Sequence, residues 1–322
     1  MSTVKENILH LLVNGQGKYF SGSELAKQLG VSRNTVWKAV KQLQSAGYQI
    51  DAVTNKGYTF ISEDDMLSDA CIQKYLSTKA LGRNLQIFPS LESTNKTAKT
   101  MAAQGAPDGT VIIADTQSQG HGRYGRPFFS PEKSGIYMSV LLRPHLKPED
   151  ALLLTSCAAV ATAQAIESLA DVSVQIKWVN DLFINNKKMC GILTEAGIGF
   201  ENGALDYVVI GIGINAGKVT FPDDLKSIAT SIENESGIPI SRNRLIAEVL
   251  NKLEAHIQTM HNRSFLSESR KRSILLGKEI NVITMNETYP AKALEINDDG
   301  FLIVETKGKR HVLNSGEVSI RI

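Results

Sequence analysis

The sequence predicts an α+β protein in three parts: a winged helix-turn-helix over residues 1–62, a mixed α/β body over 66–275 and a small β-barrel over 276–322. Three observations predict it. Apolar residues at helical spacing, followed by a hairpin, fill the first part. Strand-like and helix-like segments alternate through the second. Short alternating strands crowd the third. A chain of 322 residues also exceeds one ordinary compact core and suits domains of ~100–200 residues.

In the first part, Ile8, Leu9, Leu11 and Leu12 share a helical face. Ser21, Gly22 and Ser23 offer a turn and a cap before a short helix carrying Leu25, Ala26 and Leu29, which Gly30 ends. Ser32 caps a third helix whose Val36, Val40 and Leu43 face inward. Arg33, Asn34, Thr35, Trp37, Lys38 and Lys41 project outward. Short helix, Gly-containing turn and longer helix is helix-turn-helix spacing. Amides, hydroxyls and cations on the outer face suit base edges and phosphates. Tyr48–Val53 and Tyr58–Ile61 read as a hairpin around Thr54-Asn55-Lys56-Gly57, with Lys56 at its tip. The nucleic-acid face is therefore expected at Gly22, Ser32, Arg33, Asn34, Thr35, Trp37, Lys38, Lys41 and Lys56. A three-helix protein-interaction module with a solvated basic face fits the same residues.

Ser62 and the acidic run at 63–65 read as a linker, and 66–82 as a helix. In the body, strands are expected at Leu85–Phe88, Thr110–Ala114, Gly135–Leu142, Val174–Trp178, Leu182–Ile184, Met189–Glu195 and Tyr207–Ile214. Helices are expected at Asn95–Gln104, Pro148–Leu169 and Ser241–Arg263. Hairpin-like strand spacing favours α+β over a doubly wound sheet. After Gly277, strands at Ile280–Thr284, Thr288–Ile296, Phe301–Glu305 and His311–Asn314 belong to a barrel of about five short strands.

Composition narrows the function. The net charge of +2 divides unevenly: residues 1–62 carry seven Lys/Arg against three Asp/Glu, or +4, while 63–275 and 276–322 each carry −1. A basic front on a slightly acidic remainder points to a polyanionic partner for the first part. No run of ~18 apolar residues exists, which excludes a membrane-spanning helix. The N-terminus lacks a secretory signal. Three scattered cysteines, Cys71, Cys157 and Cys190, fit a reducing cytoplasm. No Cys/His cluster has zinc spacing, and no metal ligand is assigned.

Residues 120–125 form a literal G-x-G-x-x-G. Pro127 and Pro131 follow it, so no regular helix can start there, and no acidic residue lies ~20 positions on to hold a ribose. The dinucleotide reading fails. What remains is a Gly-rich loop carrying His121, Arg123 and Arg126, whose backbone amides and guanidinium forks suit phosphate or carboxylate.

In this order the chain carries Ser93-Thr94-Asn95, Thr116-Gln117, Gly120-His121-Gly122-Arg123-Tyr124-Gly125-Arg126, Ser130-Pro131, Lys177-Trp178-Val179-Asn180-Asp181, Cys190-Gly191-Ile192-Leu193-Thr194-Glu195, Gly211-Ile212-Gly213-Ile214-Asn215 and Ala229-Thr230-Ser231-Ile232. The ordered set resembles the biotin protein ligases. With the helix-turn-helix in front, it resembles the bifunctional type that is also the biotin operon repressor. Three positions depart from the family pattern: His121 where Arg or Lys is usual, Val179 where Pro is usual, and Phe128 where Trp is common.

The resemblance implies a central domain of the biotin/lipoate ligase type, class II synthetase-like, and an SH3-like C-terminal barrel. It implies biotin, ATP and Mg²⁺, a biotinyl-5′-adenylate, and transfer to a lysine of a biotin carboxyl carrier protein. It also implies operator DNA as a partner, a homodimer when adenylate is bound, and a cytoplasmic site of action. Lys177 and Arg123 are the expected catalytic cations. By position alone Lys177 reads as a surface lysine at a strand end. Ser93, Thr94, Asn95, Gln117, Gly120, His121, Gly122, Arg123, Lys177 and Gly191 are expected around biotin, although Ser93-Thr94-Asn95 also suits a helix cap. Arg123, Arg126, Phe128, Asn180 and Asn215 are expected around the nucleotide, with Phe128 fitting either an adenine wall or the core. A related lipoate or octanoate ligase, a ligand-sensing regulator, and a ligase without DNA binding remain open alternatives.

Overall fold

The computed structural model describes residues 3–15, 17–62, 66–144, 151–198, 205–284, 287–314 and 317–320. The linker expected at 63–65 and the start of the helix expected from Pro148 lie outside them. The chain folds as two compact units, residues 1–76 with 241–247, and residues 77–240 with 248–322.

The first unit contains α1 (Val4–Asn14), α2 (Gly22–Leu29), α3 (Arg33–Ser45), β1 (Gln49–Val53), β2 (Gly57–Ser62) and α4 (Asp69–Gln73). Each of the first three helices starts on a hydroxyl that accepts a backbone N–H: Thr3 from Glu6, Ser21 from Glu24 and Ser32 from Thr35. Glu6 reaches back to the Thr3 N–H and closes a capping box. Gly30 ends α2 in the left-handed region. Ile8, Leu12, Leu25, Val36, Val40 and Leu43 meet in one buried core, with Ile50 from the hairpin. Strands β1 and β2 pair antiparallel. Gly57 turns the hairpin at φ +109°, and a Cβ there would lie 2.1 Å from the Phe20 carbonyl oxygen, so only glycine fits.

The helix expected over 66–82 is confined to α4. Beyond it, the N–H groups of Lys79, Ala80 and Leu81 donate to the Glu254 carboxylate, and that of Ser77 to Asn251. Side-chain acceptors thus replace the carbonyls that a continuing helix would use.

The second unit is built on a seven-stranded sheet ordered β3-β4-β5-β9-β8-β7-β6. Its strands are β3 (Asn84–Leu91), β4 (Thr110–Gln117), β5 (Gly135–Leu142), β6 (Gln175–Lys177), β7 (Asp181–Ile184), β8 (Lys187–Ile198) and β9 (Leu205–Asn215). Strands β3 and β4 are parallel and joined through α5 (Thr94–Ala103); the other pairs are antiparallel. Every residue of β5 is buried. Ala98 and Ala102 of α5 pack on Ile112, Leu141 and Val209. Ser139 pairs with Ile112 and Gly211, and Leu141 with Val209, so Ser139 and Gly211 share the face that α5 covers.

The unit continues with α6 (Ala151–Glu167), α7 (Ile232–Ser236), α8 (Arg242–Gln258, its first turns in the other unit) and α9 (Phe265–Lys271). The helix expected to reach Arg263 stops earlier, and Met260–Asn262 follows as a 3₁₀ turn. The short helices α7 and α9 carry too few turns for a periodic pattern, and the sequence does not announce them.

At the C-terminus, β10 (Glu279–Ile283), β11 (Thr288–Ile296), β12 (Leu302–Thr306), β13 (Lys309–Leu313) and β14 (Glu317–Ile320) form an antiparallel sheet ordered β13-β12-β11-β10-β14. Its inner residues Ile280, Val282, Ala293, Leu302 and Val304 share a core with Trp178 and Val179. The Trp178 indole N–H donates to the Gly300 carbonyl at 2.9 Å.

Candidate active site

The second unit opens a cleft over the sheet, between the N-terminus of α5, the Gly-rich loop and strands β7, β8 and β9. Ser93 caps α5 by accepting the Lys96 N–H. That cap places Thr94 and Asn95 in the first turn, both buried and both facing the cleft. Gln117, at the end of β4, accepts the Thr94 N–H at 2.8 Å. A polar floor results at the point where α5 meets the sheet.

The Gly-rich loop closes on itself. The Phe128 N–H donates to the Gly120 carbonyl, and the Gly122 N–H to the Arg126 carbonyl, both at 2.8 Å. This hairpin-like path, with Tyr124 at φ +57°, replaces the helix that a dinucleotide fold would require. It presents Arg123, which stacks 5.4 Å over the Tyr124 ring and donates to Asn180 Oδ1 at 3.4 Å. Phe128 lies against Gly191 and Gly213. A Cβ on Gly213 would meet its ring at 2.7 Å, so these bare glycines make the room that the ring occupies. The Phe128 and Tyr137 rings pack edge to face.

Of the residues expected from sequence, Ser93, Thr94, Asn95, Gln117, His121, Gly122, Arg123, Arg126, Phe128, Asn180 and Gly191 line this one cleft. Three do not. Gly120 packs against Ser130 and Gln117 behind the loop. Asn215 is buried and donates to the Thr230 carbonyl at 3.0 Å. Lys177 pairs in register with Asp181, itself opposite Gly191, and so stands on the cleft's face of the sheet, though not among the lining residues.

Another lysine lines the cleft itself. Lys188 lines it, with Nζ 2.7 Å from Asp181 Oδ1. Its side chain also lies 3.3 Å from where a Gly191 Cβ would be. Nothing in the linear sequence marks Lys188, because strict alternation along β8 puts residues 188 and 191 on opposite faces. The β7–β8 register slips at Leu182/Phe183: Leu182 faces Cys190 and Phe183 faces Lys188, leaving Met189 unpaired as a bulge. The bulge inverts the alternation and turns Lys188 to the side of Gly191. The available signal was the tight Asn185-Asn186 turn, with both residues at positive φ, which sets the start of β8.

Charge is arranged to receive an anion. Arg123, Arg126 and Lys188 line the cleft, and Asp181 is the single carboxylate among the lining residues. Glu195 stands just behind Asn95. Burial opposes its ionisation, but hydrogen bonds from Lys99 and Asn95, with the charges of Lys99 and His121, outweigh that and hold its carboxyl below the ordinary value. Burial pushes the Cys190 thiol up, so it is no thiolate nucleophile at neutral pH.

On the first unit, Ser32, Arg33, Asn34, Thr35, Trp37, Lys38 and Lys41 are all exposed along α3 and its cap, and Trp37 is 48% exposed. Lys56 is exposed at the hairpin tip, 5.7 Å above the Tyr19 ring. Gly22 opens α2 with no close contact that requires glycine. Among the described residues, no helix is long and apolar enough to cross a membrane, and no group of His, Cys, Asp and Glu is placed to hold a metal ion.

Comparison with known proteins supports three segments. Residues 87–215 match the biotin/lipoate A/B protein ligase family, residues 4–59 an HTH domain, and residues 275–321 the biotin protein ligase C-terminal domain. The chain is 37% identical to the bifunctional ligase/repressor BirA of Bacillus spizizenii and, equally, to that of Bacillus subtilis, in each case over 99% of both chains. Its fold is similar to that of the Aquifex aeolicus biotin protein ligase in complex with biotin and ATP. The TM-score is 0.64 at 25% identity, covering 74% of this chain and 99% of that one. The ordered motifs, the cleft they line and the relatives matched end to end lead to one assignment: the chain belongs to the biotin protein ligase family, in its bifunctional ligase/repressor form.

Proposed function

We propose that this chain joins biotin to ATP, forms biotinyl-5′-adenylate and passes the biotinyl group to a lysine of a biotin carboxyl carrier protein. The observation that carries the reading is one cleft holding Arg123, Arg126 and Lys188 beside the polar floor of Thr94, Asn95 and Gln117. The biotin carboxylate oxygen attacks the α-phosphorus, the bond to the β-phosphate breaks, and pyrophosphate leaves. Two anions must meet in this step, and fixed cations lower their repulsion. Lys188 is placed for that role, with Asp181 holding its ammonium in position until substrate arrives. Arg123 sits on the loop and closes over the anionic intermediate, which keeps water from the adenylate. In the second step the acceptor lysine amine attacks the biotinyl carbonyl, AMP leaves, and a proton passes to solvent.

The floor beside Thr94 and Gln117 takes the urea end of biotin, and Phe128, over Gly191 and Gly213, walls its apolar part. Mg²⁺ fits as a partner of the nucleotide. Asp181, the only carboxylate among the lining residues, would hold it together with the phosphates, and the ion would offset their charge.

The exposed face of α3 and the Lys56 hairpin bind operator DNA. Adenylate binding orders the Gly-rich loop and completes a homodimer, which presents two such faces to a palindromic site. The three cysteines, all buried and none in a disulfide, accord with a cytoplasmic setting. Incubation with ATP, Mg²⁺, a carrier domain and labelled biotin or lipoate tests the enzyme. Label on the carrier from biotin alone is expected, and none from biotin sinks the reading. A gel shift of the biotin operon region at stated salt, with and without the adenylate, tests the repressor.

A further inference from the structure

Behind the cleft runs a chain of polar contacts whose proton direction can be deduced. Asn95 Nδ2 lies 2.8 Å from Glu195 Oε2 and 3.2 Å from the Leu193 carbonyl oxygen. Both partners only accept, so the amide nitrogen is fixed on that side and Oδ1 is turned away. Oδ1 meets Ser139 Oγ at 2.6 Å. It also lies 2.1 Å from where a Gly211 Cβ would be, so only glycine at 211 leaves room for it. Ser139 is fully buried and has one proton to donate. Since Oδ1 only accepts, Ser139 donates to it; the opposite arrangement would set two lone pairs against each other in a buried site.

Ser139 Oγ is thereby an acceptor for Thr94 Oγ1, 2.8 Å away. Gln117 Oε1, 3.2 Å from the same hydroxyl, already receives the Thr94 backbone N–H and is an acceptor too. Whichever of them takes the single Thr94 proton, that proton points into the protein. The hydroxyl offers the cleft only a lone pair. Reversing the Asn95 amide would reverse the series: Asn95 would donate to Ser139 and Ser139 to Thr94, so the Thr94 proton would lose its nearer inward acceptor and keep only Gln117 Oε1 at 3.2 Å, against which a cleft-facing acceptor can compete.

Glu195, the nearer of the two acceptors that hold the Asn95 amide, carries most of the bias between these states, and Lys99 Nζ, 2.6 Å from Glu195 Oε1, keeps it a carboxylate with no proton to offer Asn95. We propose that Glu195, held ionised by Lys99, is a positioning residue that sets the proton direction of the Asn95–Ser139–Thr94 chain and so selects ligands presenting an N–H to Thr94. The urea of biotin has such a donor; the dithiolane ring of lipoate has none. This rests on reading the cleft as the biotin site.

The test uses the full chain in biotin-dependent ATP–pyrophosphate exchange. In Glu195→Gln the new amide turns its oxygen to Lys99 and its nitrogen to Asn95, which favours the reversed state. The KM for biotin is expected to rise about tenfold, the cost of one hydrogen bond, while kcat and the KM for ATP stay within about twofold of wild type. Lys99→Arg should restore the wild-type KM for biotin, and Lys99→Met should fall between. Ser139→Ala, which cuts the chain in the middle, should raise the same KM, and the double variant E195Q/S139A should add nothing further. A biotin KM within about twofold of wild type in E195Q, an equal rise in the KM for ATP, or additive rises in the double variant would overturn the proposal. Wild-type exchange separates the two ideas: its absence overturns the biotin reading and this proposal together, whereas its presence with an unmoved KM overturns this proposal alone.

Discussion

Lys188 and Asp181, on neighbouring strands, form an ion pair of 2.7 Å at the edge of the cleft. The pair leaves one cation in the cleft already oriented, and an arriving carboxylate or phosphate replaces part of what Asp181 provides. Replacing Lys188 with Met removes that charge from the reacting groups. Adenylate formation should fall about a hundredfold or more, in kcat rather than in the KM for biotin. The same change at Lys177, which shares the sheet face of Asp181, tests the cation expected from the sequence motif, and a loss below about fivefold leaves the role to Lys188 alone. Single-turnover formation of labelled adenylate measures both, and equal losses would return the catalytic role to Lys177.

Gly213 makes the space that Phe128 occupies. Gly213→Ala puts a methyl group 2.7 Å from the ring and forces it toward the cleft. The expected result is a rise in the KM for biotin of about tenfold or more, since a misplaced wall costs on the order of 1–3 kcal/mol. Steady-state kinetics with biotin as the varied substrate would detect it, and the further change Phe128→Leu should recover part of the loss.

Glu254 organises the turn at 79–81 by accepting three backbone N–H groups. Burial opposes its ionisation, but those hydrogen bonds and the nearby Arg83 outweigh it and lower its pKa from 4.5. A depressed folded pKa means that its stabilisation is complete above the ordinary carboxylate value and is lost as pH falls through the lower folded value. Glu254→Gln, which keeps the shape but loses the charge, should cost about 2 kcal/mol at neutral pH. The gap between variant and wild type should close as pH drops below about 4. Urea unfolding at a series of pH values measures it, and a gap that widens toward acid would contradict the assignment.

Lys38 projects from the exposed face of α3. If it meets a phosphate, Lys38→Ala should weaken operator binding uniformly across site variants and reduce the log–log salt slope by about 1. Adenylate formation should be unaffected. Fluorescence anisotropy over a salt series reads the slope, and an unchanged slope would remove Lys38 from the interface.

Much of the fold was legible because it is written in local signals. Thr3, Ser21 and Ser32 cap the helices where their hydroxyls stand in sequence, Gly30 ends α2 in the left-handed region, and Gly57 turns a hairpin where a side chain would strike the Phe20 backbone. Strand β5 was found end to end, being a short apolar run bounded by turn residues. The helix expected over 66–82 was not, because its continuation depends on Asn251 and Glu254, far away in the chain, which take the N–H groups it would need.

For the site, the sequence alone determined in kind which groups line the cleft: a capped helix start with Thr94 and Asn95, a Gly-rich loop with Arg123 and Arg126, and bare glycines on two strands. These are side-chain types at fixed local spacing, and chemistry can be read from them directly. Tertiary structure brought a further lysine to them. One bulge at Met189 shifts the β7–β8 register, and because side chains alternate with period two, that single residue moves Lys188 into the cleft. Only the packed structure could also bring Glu195, a hundred residues away in the chain, to the amide of Asn95 beside Thr94. Register and hydrogen-bond polarity are set between strands, where no linear pattern records them.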